Sequence, residues 1–434
     1  MVNNKYFSRI LLDDLKKWVD RREIYAIKGP RQSGKTTLLK MFRDYLIKER
    51  KIKSENIIFF TLEDWENLEK FSLDPKEFVR SFILHKEDER FYFLIDEVQY
   101  LTSGGQKLKL LYDLFENIKF IVTGSSSLEL TDKTSKFLVG RMFSFYLYQL
   151  SFAEFINAKS QRLNNIYQEK TNLFWDFLFK GKDFAITQDV FLKDFAKYFE
   201  EYTIFGGYPE VAKTDDIETK RMILKNIYET YIRKDIVELL KISDTTKLSK
   251  IILLLASQVG QLINYNNLAN DSQTYFSQIK HYLSVLEETF IVGLLRPFYT
   301  NKISEVKKNP KIYFIDNGIR NYILRNFNKL HLRTDAGEII ENVVFSQLKI
   351  KQFDSIKYWR TLAGAEIDFI LEIGQELIPL EVKYTSFRKP KVSRGFRNFL
   401  LQYHPDRGVV LTKDFWGELK INSSLIKFIP VFYL

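Results

Sequence analysis

Residues 29–36 have the spacing G-x-x-x-x-G-K-[ST], in which glycines, a lysine and a threonine can together hold phosphate. An apolar run at 24–28 precedes them and a helical pattern follows. Glycines let backbone N–H groups close around phosphate oxygens at a helix N-terminus, whose dipole favours anions. We therefore predict an ATP site whose binding residues are Gly29, Pro30, Arg31, Gln32, Ser33, Gly34, Lys35, Thr36 and Thr37. The alternative is a plain glycine turn before a helix.

Within this loop the charged and hydroxyl side chains have separate tasks. Lys35 would contact the β- and γ-phosphates, and the Thr36 hydroxyl would bind Mg²⁺. A second apolar run, 91–95, ends in Asp96 and Glu97, which places both acids at the carboxyl edge of a sheet. We predict that Asp96 belongs to the Mg²⁺ shell and that Glu97 orients the attacking water. A strand ending in solvated acids is the alternative.

Two further residues are candidates for this site. Ser125 follows the strand-like run 120–123 and is either a polar sensor of the γ-phosphate or part of a turn that caps a helix. Arg141 follows Gly140 and is either a charge-stabilising finger, acting in cis or across a subunit interface, or an ordinary surface arginine. A finger that acts in trans would make the protein a homo-oligomer.

A second constellation lies near the end of the chain. The segments 365–370 and 378–383 predict a β-hairpin with Asp368 on one strand and Glu381 and Lys383 on the other. Strand side chains alternate, so Glu381 and Lys383 share a face, where Asp368 can join Glu381 around one Mg²⁺. Lys383 would then orient a water for attack on a phosphodiester. The alternative is a strand with paired surface charges.

Basic residues near this hairpin are candidates for DNA contact. The five cations that follow it would contact phosphates or line a solvated helix face: Arg388, Lys389, Lys391, Arg394 and Arg397. Upstream, the helical patterns 247–260, 265–270 and 274–288 and the strand-like 291–299 have the lengths of a winged helix-turn-helix. Its third helix would present Lys280, with Gln273, Gln278 and His281, to a groove. A packing or protein-contact module is the alternative.

Composition limits the other possible chemistries. The 434 residues include no cysteine and four histidines, so disulfides, thiol catalysis and Cys-ligated metals are excluded and a zinc enzyme is disfavoured. The net charge of +11 permits a polyanionic partner. Residues 1–20 carry Asp13 and Asp14, unlike the apolar core of a signal peptide, and the longest apolar run is too short for a bilayer. We expect a cytoplasmic protein with no membrane partner.

The order of elements predicts how these residues are positioned. Strand-like runs at 24–28, 56–61, 91–95 and 120–123 alternate with amphipathic helices, which is typical of a parallel sheet covered by helices. We predict an α/β protein in four parts: a P-loop core at 1–150, a helical lid or linker at 151–243, a winged-helix segment and link at 244–311, and an α/β domain at 312–434.

The motifs and their order resemble the archaeal-type AAA+ ATPases of prokaryotes. The resemblance rests on the loop at 29–36, on LIDEVQ, TGSS, Gly140-Arg141 and FGGYPE, and on the tail motifs, and it covers nearly the whole chain. It implies an AAA+ sheet with a helical lid, ATP and Mg²⁺ as cofactors, and a C-terminal domain related to restriction-type nucleases. In the PD-(D/E)XK core that the tail resembles, Asp368, Glu381 and Lys383 match the signature. Glu341 matches its additional helix-borne acid, with Glu338 as the alternative.

Two hypotheses of function follow. The first is an AAA+ ATPase that couples ATP turnover to DNA binding or processing by the nuclease-like domain. The second is an ATP-switched interaction or DNA-binding protein whose tail does not cut. A scaffold that binds ATP without turnover is disfavoured because Glu97 is present.

Overall fold

The computed structural model describes residues 6–83, 89–125, 138–186, 189–236, 245–299, 305, 308–353 and 355–434. They form two compact units, one of residues 1–150 with 288–290 and one of 151–287 with 291–434. The predicted boundary at residue 150 coincides with the boundary between these units. Apart from residues 288–290, the predicted segments 151–243, 244–311 and 312–434 all lie in the second unit and do not separate from one another as compact bodies.

The first unit is built on a parallel sheet. Its strands have the order β2-β3-β4-β1-β5 and the bounds β1 (Ile24–Lys28), β2 (Ile57–Thr61), β3 (Phe91–Asp96), β4 (Ile118–Gly124) and β5 (Met142–Tyr146). The four strands that the sequence predicts are confirmed. Because the strands are parallel, the ends of β1, β3 and β4 meet at one edge, where the phosphate loop and the two acids follow.

Helices cover both faces of this sheet. Alternate residues of β1 enter different cores: Ile24 and Ala26 pack on one side, and Tyr25 and Ile27 pack on the other, with Phe42 of the helix after the phosphate loop. Because both faces of the sheet are buried, its strands are continuous apolar runs in the sequence. The helices of the unit are α1 (Ile10–Lys17), α2 (Lys35–Lys48), α3 (Trp65–Leu73), α4 (Pro75–Ile83) and α5 (Gly104–Leu114).

The second unit begins with helices. These are α6 (Phe152–Lys159), α7 (Gln161–Lys180), α8 (Leu192–Phe205), α9 (Pro209–Lys213), α10 (Ile217–Ile227), α11 (Thr245–Ser257), α12 (Tyr265–Asp271) and α13 (Phe276–Glu288). A π-helical segment at Tyr228–Asp235 continues α10. Within the described ranges, no helix has both the length and the apolar character that a membrane span requires.

A mixed sheet forms the other part of this unit, in the order β12-β13-β11-β10-β9-β8-β6-β7. Its strands are β6 (Val292–Pro297), β7 (Lys311–Phe314), β8 (Ile356–Arg360), β9 (Glu366–Ile373), β10 (Glu376–Lys383), β11 (Arg407–Thr412), β12 (Gly417–Ile421) and β13 (Ser424–Pro430). The associated helices are α14 (Asn317–Ile323), α15 (Ala336–Ile350) and α16 (Arg394–Tyr403). The predicted hairpin is the antiparallel pair β9–β10.

The elements of the predicted winged helix are present but do not stand apart. Helices α11, α12 and α13 are followed by β6, as the sequence predicts, and β6 pairs antiparallel with β7. However, β6 also pairs parallel with β8, so this strand pair is the end of the eight-stranded sheet. The predicted boundary at 311/312 therefore falls inside one sheet, at the start of β7. The winged-helix assignment stays a prediction.

Candidate functional site

The phosphate loop connects β1 to α2 by a tight backbone path. Gly34 has φ +96°, a left-handed conformation that favours glycine, and α2 begins at the next residue. A Cβ at Gly29 would collide with the carbonyl oxygen of Leu147, so only glycine fits there. The Ser33 hydroxyl is buried and has no hydrogen-bond partner among the described residues. A tight glycine loop with an unpartnered hydroxyl at a helix N-terminus suits phosphate oxygens.

Lys35 points back into this loop. Its side chain is buried, and Nζ donates to the carbonyl oxygens of Gly29 and Pro30 at 3.1 Å each. Burial lowers the pKa of Lys35, and the carboxylates of Glu97 and Asp96 act in the opposite direction. The ammonium group therefore lies where the sequence predicts phosphate contact, and its present partners are neutral carbonyls that a phosphate can replace.

Asp96 links the loop to the neighbouring strands. The Thr36 hydroxyl donates to Asp96 Oδ2 at 2.6 Å, and the Thr123 hydroxyl donates to Oδ1. Thr123 Oγ1 also accepts from the Glu97 amide at 3.1 Å. The predicted Mg²⁺ ligands Thr36 and Asp96 are thus in contact, and a hydroxyl with a carboxylate is a donor set that Mg²⁺ uses. Thr123 supplies a further hydroxyl beside the acids, and the role of Ser125 stays a prediction.

Glu97 adopts a strained conformation at the end of β3. Its φ of 59° and ψ of 48° are left-handed, which is uncommon for a residue with a side chain. The Gln99 amide donates to the Glu97 carboxylate, and Gln99 Oε1 accepts from the Ser125 amide at 3.2 Å. Sequence reasoning gave Gln99 no role, although it stands in the LIDEVQ motif. Ser126 and Ser127 lie outside the described residues.

Arg9 is a second residue that sequence reasoning missed. It is buried, and its guanidinium donates to the Ser33 and Tyr148 carbonyl oxygens at 2.6 Å each. It therefore ties the phosphate loop to the segment after β5. No motif marks Arg9, and only the folded chain brings it to the loop.

Arg141 lies at the opposite edge of the sheet from the phosphate loop. Its carbonyl oxygen accepts from the Ile24 amide at 2.8 Å, at the beginning of β1, and its Nε contacts Asp113 Oδ1 at 3.0 Å. The loop begins after Lys28, a full strand length away. Arg141 therefore does not reach the phosphates of its own chain, and this geometry contradicts the cis version of the finger. The trans version stays a prediction.

In the second unit, the hairpin places Asp368 and Glu381 side by side. Phe369 pairs with Leu380, and continuing this register puts Asp368 opposite Glu381. The Val382 amide donates to Asp368 Oδ2 at 2.8 Å. Glu381 is buried, and its Oε2 has no hydrogen-bond partner among the described residues. An orphaned carboxylate oxygen beside a second carboxylate fits a hard cation.

Lys383 completes the group on the same face. Its Nζ lies 3.3 Å from Glu381 Oε1, as the strand alternation predicts. Burial lowers the pKa of Lys383, but the carboxylates of Glu381, Asp368 and Glu341 outweigh it, and the net pKa is raised. Burial also raises the pKa of Asp368, which the charge of Lys311 opposes. The lysine is therefore a cation beside two acids.

Glu341 is the helix-borne acid near this group, but it has other partners. Its Oε1 accepts from Lys311 Nζ at 3.2 Å and from the Tyr313 hydroxyl. Burial and the nearby Asp368 carboxylate raise the pKa of Glu341. Glu338 is exposed in the first turn of α15, so Glu341 is the acid that faces the sheet.

The predicted metal set of Glu341, Asp368 and Glu381 is not assembled in this structure. In the described part of the chain, no group of three or more His, Asp or Glu residues is arranged to hold a metal ion. The physical reason is that Lys311 and Tyr313 are hydrogen-bonded to the Glu341 carboxylate. Asp368 and Glu381 then remain as a pair of acids. That pair stays a prediction.

The candidate DNA-contact residues are on the surface. All six predicted cations have exposed side chains: Lys280, Arg388, Lys389, Lys391, Arg394 and Arg397. In contrast, the Gln278 side chain is hydrogen-bonded to neighbours in the chain. Its Oε1 accepts from the Thr274 hydroxyl, and its Nε2 donates to the Tyr282 hydroxyl at 2.6 Å. Gln278 is therefore not free for a groove.

One protein-family model matches most of the first unit. Residues 21–156 match the family model of an AAA domain. The first unit is therefore similar to AAA domains over most of its length. The matched residues include the phosphate loop, Asp96 and Glu97.

The remainder of the chain matches families without a described role. Residues 196–330 match a domain of unknown function (DUF8612), and residues 336–430 match a domain of unknown function (DUF4143). The chain is similar to an uncharacterized protein of Haemophilus influenzae, with 28% identity over 95% of this chain and 94% of the relative. An uncharacterized protein of Methanocaldococcus jannaschii is 26% identical over 98% and 89%.

Solved structures give weaker likeness. Drosophila ORC bound to DNA matches with a TM-score of 0.29 and 12% identity, over 73% of this chain and 94% of that one. Domain III of the Thermotoga maritima replication initiation protein DnaA matches with a TM-score of 0.27 and 16% identity, over 51% and 94%. The similarity to AAA domains therefore rests on the family match, and the parallel sheet agrees with it.

Proposed function

We propose that the AAA domain binds Mg²⁺–ATP and hydrolyses it. The observation that carries this proposal is the contact between Thr36 and Asp96, with Lys35 in the loop and Glu97 beside them. These residues come from the ends of two non-adjacent parallel strands and would have no reason to converge in a purely structural turn. The unpartnered, buried Ser33 hydroxyl in the loop supports phosphate as the ligand.

The roles follow from the chemistry of each group. Lys35 would balance charge on the β- and γ-phosphates, and Thr36 and Asp96 would hold Mg²⁺, which neutralises developing charge on the phosphate oxygens. Glu97 would align a water in line with the γ-phosphate. Gln99 would hold the Glu97 carboxylate in position, since it is bonded to that carboxylate and to the Ser125 amide.

A nucleotide-binding measurement tests the first step. Lys35→Ala should weaken binding of a fluorescent ATP analogue at least tenfold, because it removes the buried cation of the loop. Lys40→Ala is the matched control, since Lys40 is an exposed lysine on the same helix. Equal affinity of the two variants would overturn the proposed site.

For the second unit we propose metal-dependent cleavage of DNA by Asp368, Glu381 and Lys383. The free Glu381 Oε2 opposite Asp368 supports this proposal, because a buried, unpartnered carboxylate oxygen is costly unless a cation binds it. Lys383 would orient water and stabilise charge on the phosphate. Incubation of the full chain with single-stranded, branched and duplex DNA, with Mg²⁺ or Mn²⁺ and with or without ATP, tests it directly.

A second function has its own support. Oε1 of Glu341 is hydrogen-bonded to Lys311 and to Tyr313. This arrangement favours a tail that binds DNA without cutting, under control of ATP. Binding of DNA in the incubation above with no nicking of any substrate would select this function.

A further inference from the structure

The second unit contains an open pocket on the same surface of the sheet as Asp368. Its volume is about 360 Å³, within the range of small-molecule sites. Tyr299, Tyr358, Lys308 and Arg360 are among the residues that line it. Tyrosine rings and cations in one pocket are the combination that proteins use to hold bases and phosphates.

The walls of this pocket are held by specific contacts. The Tyr358 hydroxyl donates to the Asn309 carbonyl oxygen at 2.8 Å, which fixes the orientation of the ring. Tyr299 is half-buried, and Lys308 is exposed at the margin. The pocket thus combines a buried ring of fixed orientation, a half-buried ring and a cation that solvent reaches.

Leu362 marks the lip of the pocket. It sits in the tight turn between β8 and β9, where the Thr361 amide donates to the Ala365 carbonyl oxygen at 2.8 Å. Its side chain is fully exposed, so this leucine gains no stability from packing. Exposed apolar side chains next to a nucleic-acid site can insert between bases or support an unstacked base.

A row of charged contacts connects this pocket to the candidate cleavage site. Arg360 lies 3.5 Å from Glu366, and Glu366 lies 2.5 Å from Lys311 Nζ. Lys311 also stands 5.7 Å from the centre of the Tyr358 ring. Glu366 and Asp368 share one face of β9, because strand side chains alternate. The pocket and Asp368 therefore border the same surface of the sheet.

We propose that this pocket binds one unpaired nucleotide of a DNA strand. The base would stack on Tyr299 above the buried Tyr358, Lys308 would contact the phosphate, and Leu362 would support the neighbouring base. The substrate would therefore be single-stranded DNA or DNA with a frayed or overhanging end, rather than intact blunt duplex. This inference rests on the proposal that the second unit acts on DNA.

The test compares two DNA forms in binding, without ATP and with Ca²⁺ in place of Mg²⁺. Fluorescence anisotropy of a labelled single-stranded oligonucleotide and of a blunt duplex should show tighter binding of the single strand by the full chain. Tyr299→Leu and Leu362→Ser should each weaken single-strand binding roughly 5- to 100-fold, the range for one lost stacked base, with little effect on duplex. Leu401→Ser is the matched control, because Leu401 is an exposed leucine on α16.

The outcomes separate the pocket from the wider proposal. Wild-type binding of DNA with no change in either variant would overturn the pocket and leave DNA binding intact. Failure of the wild type to bind either DNA form would overturn both. Lys308→Gln provides a second readout, because loss of one phosphate contact should reduce the slope of log affinity against log salt by about 1.

Discussion

The side-chain amide of Gln99 donates a hydrogen bond to the Glu97 carboxylate while its oxygen accepts from the Ser125 backbone. The backbone of Glu97 has a left-handed conformation, so the position of its carboxylate depends on Gln99 as well as on the backbone. We expect Gln99→Ala to lower kcat for ATP hydrolysis about 10- to 100-fold with little change in KM, because it misplaces the water-orienting group. Steady-state kinetics measure both constants. A kcat equal to wild type would contradict this positioning role.

Glu97 itself should separate binding from turnover. Glu97→Gln keeps the size of the side chain but removes its negative charge, so ATP should still bind and hydrolysis should slow by about 100-fold or more. Binding of a fluorescent ATP analogue and release of phosphate measure the two effects. Glu69→Gln, an exposed acid of the same unit, is the control. Hydrolysis by Glu97→Gln at the wild-type rate would show that another group orients the water.

Asp368 and Lys383 should control cleavage and not ATP turnover. Asp368→Ala removes a predicted metal ligand, and Lys383→Ala removes the neighbouring cation without removing a ligand. We expect both to abolish DNA nicking, Lys383→Ala to keep most metal affinity, and both to retain ATP hydrolysis. Glu338→Gln, an exposed acid on α15, should cut like wild type. Nicking by Asp368→Ala would place the cleaving group elsewhere.

Asp335 should stabilise the second unit in a pH-dependent manner. Partial burial alone would raise its pKa, but hydrogen bonds and charge from Arg333 and Arg320 outweigh this and lower the pKa to about 2. A lowered carboxylate pKa contributes stability above the unfolded value near 4, and that contribution is lost as the pH falls towards 2. We therefore expect Asp335→Asn to cost at least about 2 kcal/mol at pH 7.

Denaturant unfolding of wild type and Asp335→Asn at several pH values measures this contribution. The difference between the two proteins should stay constant from pH 7 to pH 5 and begin to shrink below pH 4. A difference that is already lost at pH 5 would show that the ion pairs with Arg320 and Arg333 do not set this pKa.

Two glycines of the second unit should respond to alanine in opposite directions. Gly206 has φ +78°, and a Cβ there would collide with the Asp316 carboxylate, so Gly206→Ala should lower the thermal midpoint. Gly337 lies in α15 with no atom within 4 Å of its Cβ position, so Gly337→Ala should stabilise by about 0.5–1 kcal/mol. Thermal unfolding followed by circular dichroism compares them, and shifts of the same sign would contradict this account.

Local patterns explain what could be predicted about the two sites. The spacing from Gly29 to Thr36 fixes a loop between a strand and a helix, and α2 begins at Lys35 as that motif requires. Likewise, the two-residue period of a strand puts Glu381 and Lys383 on one face, where their side chains lie 3.3 Å apart. Both predictions depend only on neighbours in the chain.

The sequence by itself thus determined which candidate groups lie on a strand or directly after one. The tertiary structure alone decided their partners, because strand order and helix packing join residues far apart in the chain. Arg9 is hydrogen-bonded to the Ser33 carbonyl oxygen, and Lys311 is hydrogen-bonded to the Glu341 carboxylate. Arg141 lies at the edge of the sheet opposite the phosphate loop. A parallel strand has its two ends a full strand length apart, and the motif around Arg141 does not specify which end it will occupy.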